Sequence, residues 1–333
     1  MNAVPDPLRS GPRRSRAGWA IAILIMTVVA GCVVWTHRPA APPVRFVVAH
    51  GESAHEIAVH LQQQGFLWRR TPFLFWVRLL QSHKPIRSGV YELSPNASSW
   101  SLFRALQHGP PRIKVTFPEG WTARQMAAEL EAKGVTPAAD FLPEVERERR
   151  EGFLFPDTYF FEMGLPASIV IGRMVHRFHE MEPKDMLARA QALHLTYQQV
   201  VILASLVERE ARVPSERPVI AGVFLNRLKK RWRLESCATV DYALGAWKPQ
   251  LTYKDLQIDS PYNTYRHGGL PPGPICNPGA PSLVAAAHPA ATDMMFFVSD
   301  GHGTHRFSKY YKDHLAVQGY TTAEQKSESK KQK

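Results

Sequence analysis

Glu208 is the residue of this sequence best placed to act as a general acid. Residues 196–212 read TYQQVVILASLVEREAR, and Thr196 with Gln199 forms a capping box that predicts the start of a helix. The residues just before Glu208 are apolar or small on every side, which is typical of a helix buried in a core. A carboxyl group beside apolar surface and near the negative end of a helix dipole suits proton donation. The alternative is an ordinary ion pair with Arg212, four positions on.

Other reactive side chains are few. The chain has three cysteines, Cys32, Cys237 and Cys276. His302 and His305 form an H-x-x-H pattern, but it lies among glycines and lacks a third ligand. We therefore predict no metal site and no cofactor.

A repeated pattern of strand, tight turn and helix precedes the candidate helix. Residues 46–67 and 115–135 match at an offset of 69 positions. The matched positions are Gly51 and Gly120, Ser53 and Thr122, Ile57 and Met126, Leu61 and Leu130, and Gly65 and Gly134. Each copy contains a capping box, Ser53 to Glu56 and Thr122 to Gln125, and each ends in a glycine suited to a left-handed helix end. The opening resembles LysM modules, which implies either binding of N-acetylglucosamine polymers or packing against a neighbour.

The remaining patterns indicate an α+β fold. A LysM-like α+β subdomain is predicted over residues 46–110, with a helix over 72–80, a strand over 89–93 and a helix over 99–106. Residues 111–320 alternate helical and strand-like stretches and form the larger α+β catalytic domain. Residues 321–333 are charged and polar and are expected to be disordered.

One apolar segment predicts the compartment. Residues 17–35 contain neither a charge nor a proline, which is enough to span a bilayer as a helix. Four arginines precede this segment, so residues 1–16 are predicted to be cytoplasmic and the body extracytoplasmic. Residues 36–45 form a proline-rich linker. The alternative is a lipidated Cys32 in a lipobox-like VAGC, and either reading tethers the body to the membrane.

The charge of the chain does not point to nucleic acid. The formal net charge is +12, and the two ends carry five of these charges, so the excess over the body is modest. We find no nucleic-acid-binding motif. A mildly basic body fits a partner such as anionic lipid or an anionic cell-wall polymer.

Several further motifs accompany Glu208. They read GFLFPDTY from 152, VFLNRL from 223, SPYNTY from 260, GLPPGPI from 269, NPGAPS from 277, AAAHP from 285 and FFVSDG from 296. With ASLVERE at 204–210, this set closely resembles the YceG-like family, the endolytic murein transglycosylases of the MltG type, over residues 46–320. The resemblance implies a non-hydrolytic lyase with Glu208 as its catalytic residue and Glu210 in a supporting role.

The implied reaction explains how one carboxyl group can suffice. The acid protonates the oxygen between MurNAc and GlcNAc, and the carboxylate then takes the proton of the MurNAc C6 hydroxyl, which closes a 1,6-anhydro ring. An intramolecular nucleophile has a high effective concentration, so no water needs activating. Glycoside hydrolases, in contrast, generally use two carboxyl groups.

The other motifs are expected to shape the cleft. Amide, phenol and imidazole groups suit the hydroxyl and N-acetyl groups of sugars. The candidate substrate-binding residues are Asn226, Asn263, Tyr265, His288 and Ser282. Ser282 has a second interpretation as the cap of the helix that runs through Ala287.

The chain departs from the family pattern at two cysteines. The family usually has an aspartate where this chain has Cys237, and a small residue is usual at Cys276. Because both unusual residues fall beside family motifs, we predict a Cys237–Cys276 disulfide, which would suit an oxidising compartment.

Three functions are compatible with these observations. The first is a lytic transglycosylase that cuts within nascent glycan strands and so helps terminate them. The second is a non-catalytic scaffold that binds peptidoglycan. The third is a muramidase, which hydrolyses the same bond and needs a second carboxylate, for which the candidates are Asp157, Asp241 and Asp300. The resemblance implies a single-pass protein of the cytoplasmic (inner) membrane with a periplasmic catalytic domain, and suggests peptidoglycan synthases as partners.

Overall fold

The computed structural model describes residues 42–49, 51–80, 86–248 and 250–317. These residues form an α+β fold, as predicted, in two compact units that divide between Pro110 and Pro111. Within the described ranges no helix is both long and apolar enough to cross a membrane. The predicted membrane segment (17–35), the cytoplasmic N-terminus (1–16), Cys32, most of the linker and the tail (321–333) lie outside the described residues.

The first unit is built around one pair of antiparallel strands. Its elements are β1 (Val44–Val48), α1 (Ala54–Gln63), α2 (Thr71–Leu80), β2 (Gly89–Leu93) and α3 (Ser99–His108). The strands place Phe46 opposite Tyr91, and both side chains enter a core with Ile57 and Leu61. The predicted helices and strand between residues 72 and 106 are confirmed to within two residues.

The second unit opens with the same order of elements. Its first elements are β3 (Arg112–Thr116), α4 (Ala123–Ala132), α5 (Ala138–Arg147) and β4 (Thr158–Glu162), with β3 and β4 antiparallel. The capping boxes predicted for α1 and α4 are both present. Gly65 and Gly134 follow these helices with φ of 81° and 66°, and each helix end closes with the hydrogen bonds of a Schellman motif. The repeat seen in the sequence is therefore a repeat of structure.

A bundle of helices completes the second unit. Its elements are α6 (Ala167–Met181), α7 (Met186–Ala192), α8 (Tyr197–Glu210), α9 (Arg217–Lys229), α10 (Cys237–Leu244), α11 (Ala280–Ala287), the hairpin β5 (Phe296–Ser299) and β6 (His305–Ser308), and α12 (Tyr311–Val317). Short 3₁₀ turns lie at Pro214–Glu216 and Asp255–Gln257.

Helix α8 lies at the centre of this bundle. It packs against α7, α9, α10 and α11, and every residue from Val200 to Val207 is buried. The predicted capping box of Thr196 and Gln199 starts the helix. A helix that is apolar on all sides needs neighbours on all sides, and this packing fixes the position of its C-terminal turn.

Candidate active site

Glu208 lies at the C-terminal turn of α8, and only 7% of its side chain is exposed. One carboxylate oxygen accepts a hydrogen bond from the Gly279 N–H at 3.1 Å. The other lies 3.7 Å from the Arg217 guanidinium at the start of α9. The alternative ion pair between Glu208 and Arg212 would require one helix that contains both residues. Helix α8 ends at Glu210, so Arg212 does not have the i, i+4 helical position relative to Glu208.

A second carboxyl group, which the sequence analysis missed, faces the same point. Glu119 lies in the turn between β3 and α4 and projects over Gly279, where a Cβ would come within 1.9 Å of a Glu119 carboxylate oxygen. Partial burial raises the pKa of Glu119, and the negative charge of Glu208 raises it further, while Arg217 lowers it. Two carboxyl groups and one guanidinium therefore share the space above the Gly279 N–H.

The turn that carries Glu119 is held directly against α8. Arg209 donates a hydrogen bond to the Gly120 carbonyl at 3.3 Å. A Cβ at Gly120 would lie 3.6 Å from the Glu208 Cγ, so the backbone of the turn and the Glu208 side chain are neighbours. The repeat unit thus supplies one wall of the candidate site.

Asn277, which is fully buried, ties three segments together at the site. Its side-chain oxygen accepts hydrogen bonds from the backbone N–H groups of Gly152 and Leu154 at 2.8 and 2.9 Å. Its amide nitrogen donates to the Trp121 carbonyl at 3.1 Å and to Glu151 at 2.9 Å. Since Asn277 is two residues before Gly279, this network positions the Gly279 N–H relative to Glu208.

Glu151 is a buried carboxyl group behind this network. It accepts hydrogen bonds from the Ala123 N–H at 3.0 and 3.1 Å, at the first residue of α4. Burial raises its pKa to about 7, although hydrogen bonds from Ala123 and Asn277 act in the opposite direction. This carboxyl group supports the turn that carries Glu119.

Ser205 of α8 anchors the loop that leads to Gly279. Its hydroxyl accepts a hydrogen bond from the Ile275 N–H at 3.1 Å and donates to the Ile202 carbonyl at 2.7 Å. On the other side of the loop, Gly152 adopts φ of +87°, and a Cβ there would come within 2.4 Å of Pro274. Serine at 205 and glycine at 152 therefore let the loop pack closely.

An exposed aromatic ring lies beside the site. The Arg209 guanidinium lies 3.9 Å from the centroid of the Trp247 ring, a cation–π contact. Trp247 is 57% exposed. Rings of this kind offer a flat surface on which a sugar can stack.

Of the predicted substrate-binding residues, Ser282 is the one that the structure connects to Glu208. Its hydroxyl accepts a hydrogen bond from Arg217 at 3.0 Å, and Arg217 in turn faces Glu208. The predicted cap at Ser282 is wrong, because α11 begins at Ala280 and Gly279 occupies the N-cap. Ser282 lies inside the helix and is fully buried.

The polar groups of three other predicted residues bind within the fold instead. Asn226 donates to the carbonyls of residues 292 and 294, and the buried Asn263 donates to those of residues 256 and 258. His288 contacts Asp185 at 3.1 Å on the surface. The two amides and the imidazole hold loops in place. A position within a family motif does not by itself distinguish this role from sugar binding.

Tyr265 and Glu210 belong to a separate cluster. The Tyr265 hydroxyl contacts the Cys237 Sγ at 3.1 Å, and Glu210 accepts a hydrogen bond from Ser236. Burial raises the pKa of Glu210, while Ser236 and nearby cations lower it. The cluster ties the last turn of α8 to the start of α10.

In the structure the predicted disulfide is not formed, because the two thiols have different surroundings. Cys237 is exposed beside Tyr265, whereas Cys276 is fully buried and donates to the Ser205 carbonyl at 3.4 Å. Burial raises the pKa of the Cys276 thiol well above its ordinary value.

The three aspartates considered as a second catalytic carboxylate each have other partners. Asp157 pairs with Arg177 at 2.7 Å, Asp241 accepts from the Lys248 N–H at 3.1 Å, and Asp300 accepts within the β5–β6 turn. Glu119, in contrast, lies close enough to Glu208 for the charge of Glu208 to raise its pKa. No cluster of three or more potential metal ligands occurs among the residues that the structure describes.

Comparisons with known proteins place these features in a wider group. A protein-family model described as the YceG-like family matches residues 46–319. The endolytic murein transglycosylase of Bacillus subtilis is 31% identical over 298 residues, which are 80% of this chain and 81% of that protein. The endolytic murein transglycosylase of Streptococcus pneumoniae is 27% identical over 76% of this chain, and the match spans about half (53%) of that relative. A crystal structure of a yceG-like protein from Listeria monocytogenes has a TM-score of 0.56 and 29% identity, and the match covers 84% of this chain and 100% of that one.

Proposed function

The chain belongs to the YceG-like family, and from this premise we propose that it is a lyase-type enzyme that cleaves peptidoglycan glycan strands internally, between MurNAc and GlcNAc. Its relatives are named endolytic murein transglycosylases. The observation that carries the proposal is Glu208, a largely buried carboxyl group that is hydrogen-bonded to Gly279 and lies within the ASLVERE motif.

In the proposed mechanism Glu208 acts first as an acid and then as a base. It donates a proton to the bridging oxygen as the bond from that oxygen to the MurNAc C1 breaks. The C6 hydroxyl oxygen of the same MurNAc then bonds to C1, and its proton passes to the Glu208 carboxylate. The products are a GlcNAc hydroxyl end and a 1,6-anhydro-MurNAc end, and no water is consumed.

Glu119, Arg217 and Gly279 set the electrostatics of this proton transfer. Arg217 and the Gly279 N–H contact the two oxygens of the Glu208 carboxylate that remains after proton donation, and Glu119 places a second carboxyl group beside them. Trp247 and its exposed ring offer a platform for the sugar beside the scissile bond.

We further propose that the chain works at the outer face of the cytoplasmic membrane. The apolar segment at residues 17–35 and the arginines before it support a single membrane-spanning anchor with the body extracytoplasmic. An enzyme held there meets glycan strands as they are made, so cleavage would terminate their elongation, and synthases are the natural partners.

The test is product analysis with the full-length protein on isolated peptidoglycan. Wild type should yield 1,6-anhydro-MurNAc ends, detected by liquid chromatography and mass spectrometry. Glu208→Gln cannot donate or accept the proton and should lower the rate by about 10²- to 10⁴-fold. Glu146→Gln, the same change at an exposed position, serves as the control and should be fully active. Undiminished product from Glu208→Gln would refute the assignment.

Hydrolysis of the same bond is the second candidate, and Glu119 is the observation that favours it. A muramidase requires two carboxyl groups at the site, and Glu119 with Glu208 would supply them. Reducing MurNAc ends in the product analysis would select this alternative.

A further inference from the structure

The first unit carries an apolar face that its own core does not cover. The face is formed by the exposed Phe75, Leu79 and Leu80 of α2 and Trp100 of α3, together with Trp76, which is half-buried against the core, and is called the α2 aromatic face. Phe75 and Leu79 are each 57% exposed, Leu80 is 48% exposed and Trp100 is 39% exposed. Phe73 and Val77, on the other side of α2, enter the core. Large exposed apolar patches of this kind mark interaction surfaces.

The rings of this face form one continuous surface. The Phe75 and Trp76 centroids lie 5.3 Å apart, and those of Trp76 and Trp100 lie 4.7 Å apart. Leu79 and Leu80 follow Phe75 and Trp76 by one helical turn, so a pair of aromatic side chains is followed along the face by a pair of leucines. Leucines give a sugar neither a stacking plane nor a hydrogen bond, whereas this mixture suits the boundary between lipid headgroups and acyl chains.

The charges around the face are basic. Arg69, Arg70 and Arg78 are exposed, and no acidic residue occurs in the sequence between Glu56 and Glu92. Basic side chains near a membrane surface are attracted by anionic lipid.

The length of the chain before β1 keeps this unit close to the bilayer. Eight residues separate the apolar segment 17–35 from Val44, and eight residues extend at most about 26–29 Å. A unit of this size has a radius of gyration of about 11 Å. The linker is therefore too short to hold the unit farther from the membrane than about its own width.

From these observations we infer that the α2 aromatic face docks on the surface of the membrane that anchors the chain, with its rings at the headgroup level and Arg69, Arg70 and Arg78 on anionic lipid. The inference rests on the membrane anchoring proposed above. It makes the first unit a second membrane contact beside the proposed anchor.

The experiment uses the full-length protein in vesicles of zwitterionic and anionic phospholipid. A nitrobenzoxadiazole label at Leu79→Cys reports on the α2 aromatic face, and a label at Glu92→Cys, on the exposed side of β2, is the matched control. Cys32→Ser and Cys237→Ser remove the thiols at these two positions, while Cys276 is retained because it is fully buried. Lipids with a nitroxide near the headgroup should quench the label at 79 several-fold more than the label at 92. Phe75→Ser with Leu80→Ser should reduce that quenching.

Each other outcome overturns the inference in a distinguishable way. Equal quenching at 79 and 92 would mean that the face does not meet lipid. If added glycan strands protect the label at position 79 from quenching by iodide, and the nitroxide lipids do not quench it, the face binds sugar. Cross-linking through position 79 between two chains would assign it to self-association. Release of the protein from the vesicles by alkaline carbonate would contradict the membrane anchoring on which the inference rests. Glycan cleavage is measured on the same vesicles, so a failed docking and a failed enzymatic proposal are read separately.

Discussion

At the scale of single residues, the candidate site consists of two carboxyl groups held apart by one backbone N–H and one guanidinium. Glu208 is largely buried and receives the Gly279 hydrogen bond, while Glu119 reaches over Gly279 from another segment. Partial burial and the negative charge of Glu208 raise the pKa of Glu119. Glu119 can therefore keep its proton at a higher pH than a lone exposed carboxyl group.

Removal of the Glu208 charge should lower the pKa of Glu119. That charge is one of the two causes that raise the pKa of Glu119 above its ordinary value, and partial burial is the other. In Glu208→Gln only burial raises it, so the Glu119 carboxyl group should ionise at a lower pH than in the wild type. Titration of its carboxyl carbon followed by NMR measures this, and Glu146→Gln, on the exposed side of α5, should leave the pKa of Glu119 unchanged. An unmoved pKa of Glu119 in Glu208→Gln would contradict the coupling.

The sequence identified Glu208 but not Glu119, and the reason is physical. A carboxyl group after a long apolar helix is a local pattern, whereas the meeting of Gly120 with Arg209 joins positions 89 apart. Glu119 also lies in a repeat that resembles a sugar-binding module, and this pattern indicates binding rather than proton transfer. One signal was available, because the acidic residue before the turn glycine has no acidic counterpart in the first copy, which has His50 there.

At the scale of elements, local patterns predicted helix ends well. The three capping boxes and the two left-handed glycines are where the sequence placed them, because such motifs depend on residues within one turn of each other. The loop around Asn277 could not be predicted in the same way, since its partners come from residues 121, 151, 152 and 154. The hydrogen bonds that Asn226 and Asn263 donate to carbonyls of other segments could not be predicted for the same reason, and sugar binding by these two residues stays a prediction.

Glu151, whose carboxyl group accepts hydrogen bonds from the first residue of α4, should make the stability of the second unit depend on pH. Its pKa is about 7 in the folded state and about 4.3 when unfolded. The folded state thus binds more protons between these values, and the stability from this group is present at low pH and lost as the pH rises towards 7.

Glu151→Gln tests this dependence, since glutamine does not ionise. The wild-type free energy of unfolding should fall by about 2–3 kcal/mol more than that of Glu151→Gln between about pH 5 and about pH 7.5. Urea denaturation at each pH measures it. Glu146→Gln, on the exposed side of α5, should keep the wild-type slope. Identical slopes for wild type and Glu151→Gln would contradict the assignment.

At the scale of the whole molecule, the two units have separate hydrophobic cores. Phe46 belongs to the core of the first unit and Phe141 to a core of the second, and both side chains are fully buried. The division into a smaller and a larger α+β part was expected from the change of pattern near residue 110. The loops around α8 in the larger part are held by contacts between residues that lie far apart in the sequence, and such contacts leave no local pattern.

Separate cores predict separate unfolding transitions. Truncation of a buried phenylalanine costs about 3–5 kcal/mol, so Phe46→Ala should lower the transition of the first unit and leave that of the second in place. Phe141→Ala should do the reverse. Scanning calorimetry of the full-length protein measures both. A single transition that moves with either variant would mean that the units unfold together.

Gly279 has a consequence for how variants of this protein would be judged. A Cβ at this position would meet the Glu119 side chain from its carboxylate oxygen at 1.9 Å to its Cγ at 2.8 Å, so that this side chain would have to rotate away, while the backbone there is an ordinary extended one. A substitution at 279 should therefore change the melting temperature little while it separates the two carboxyl groups. A screen for well-folded protein would pass such a variant, although an assay of the proposed cleavage would detect it.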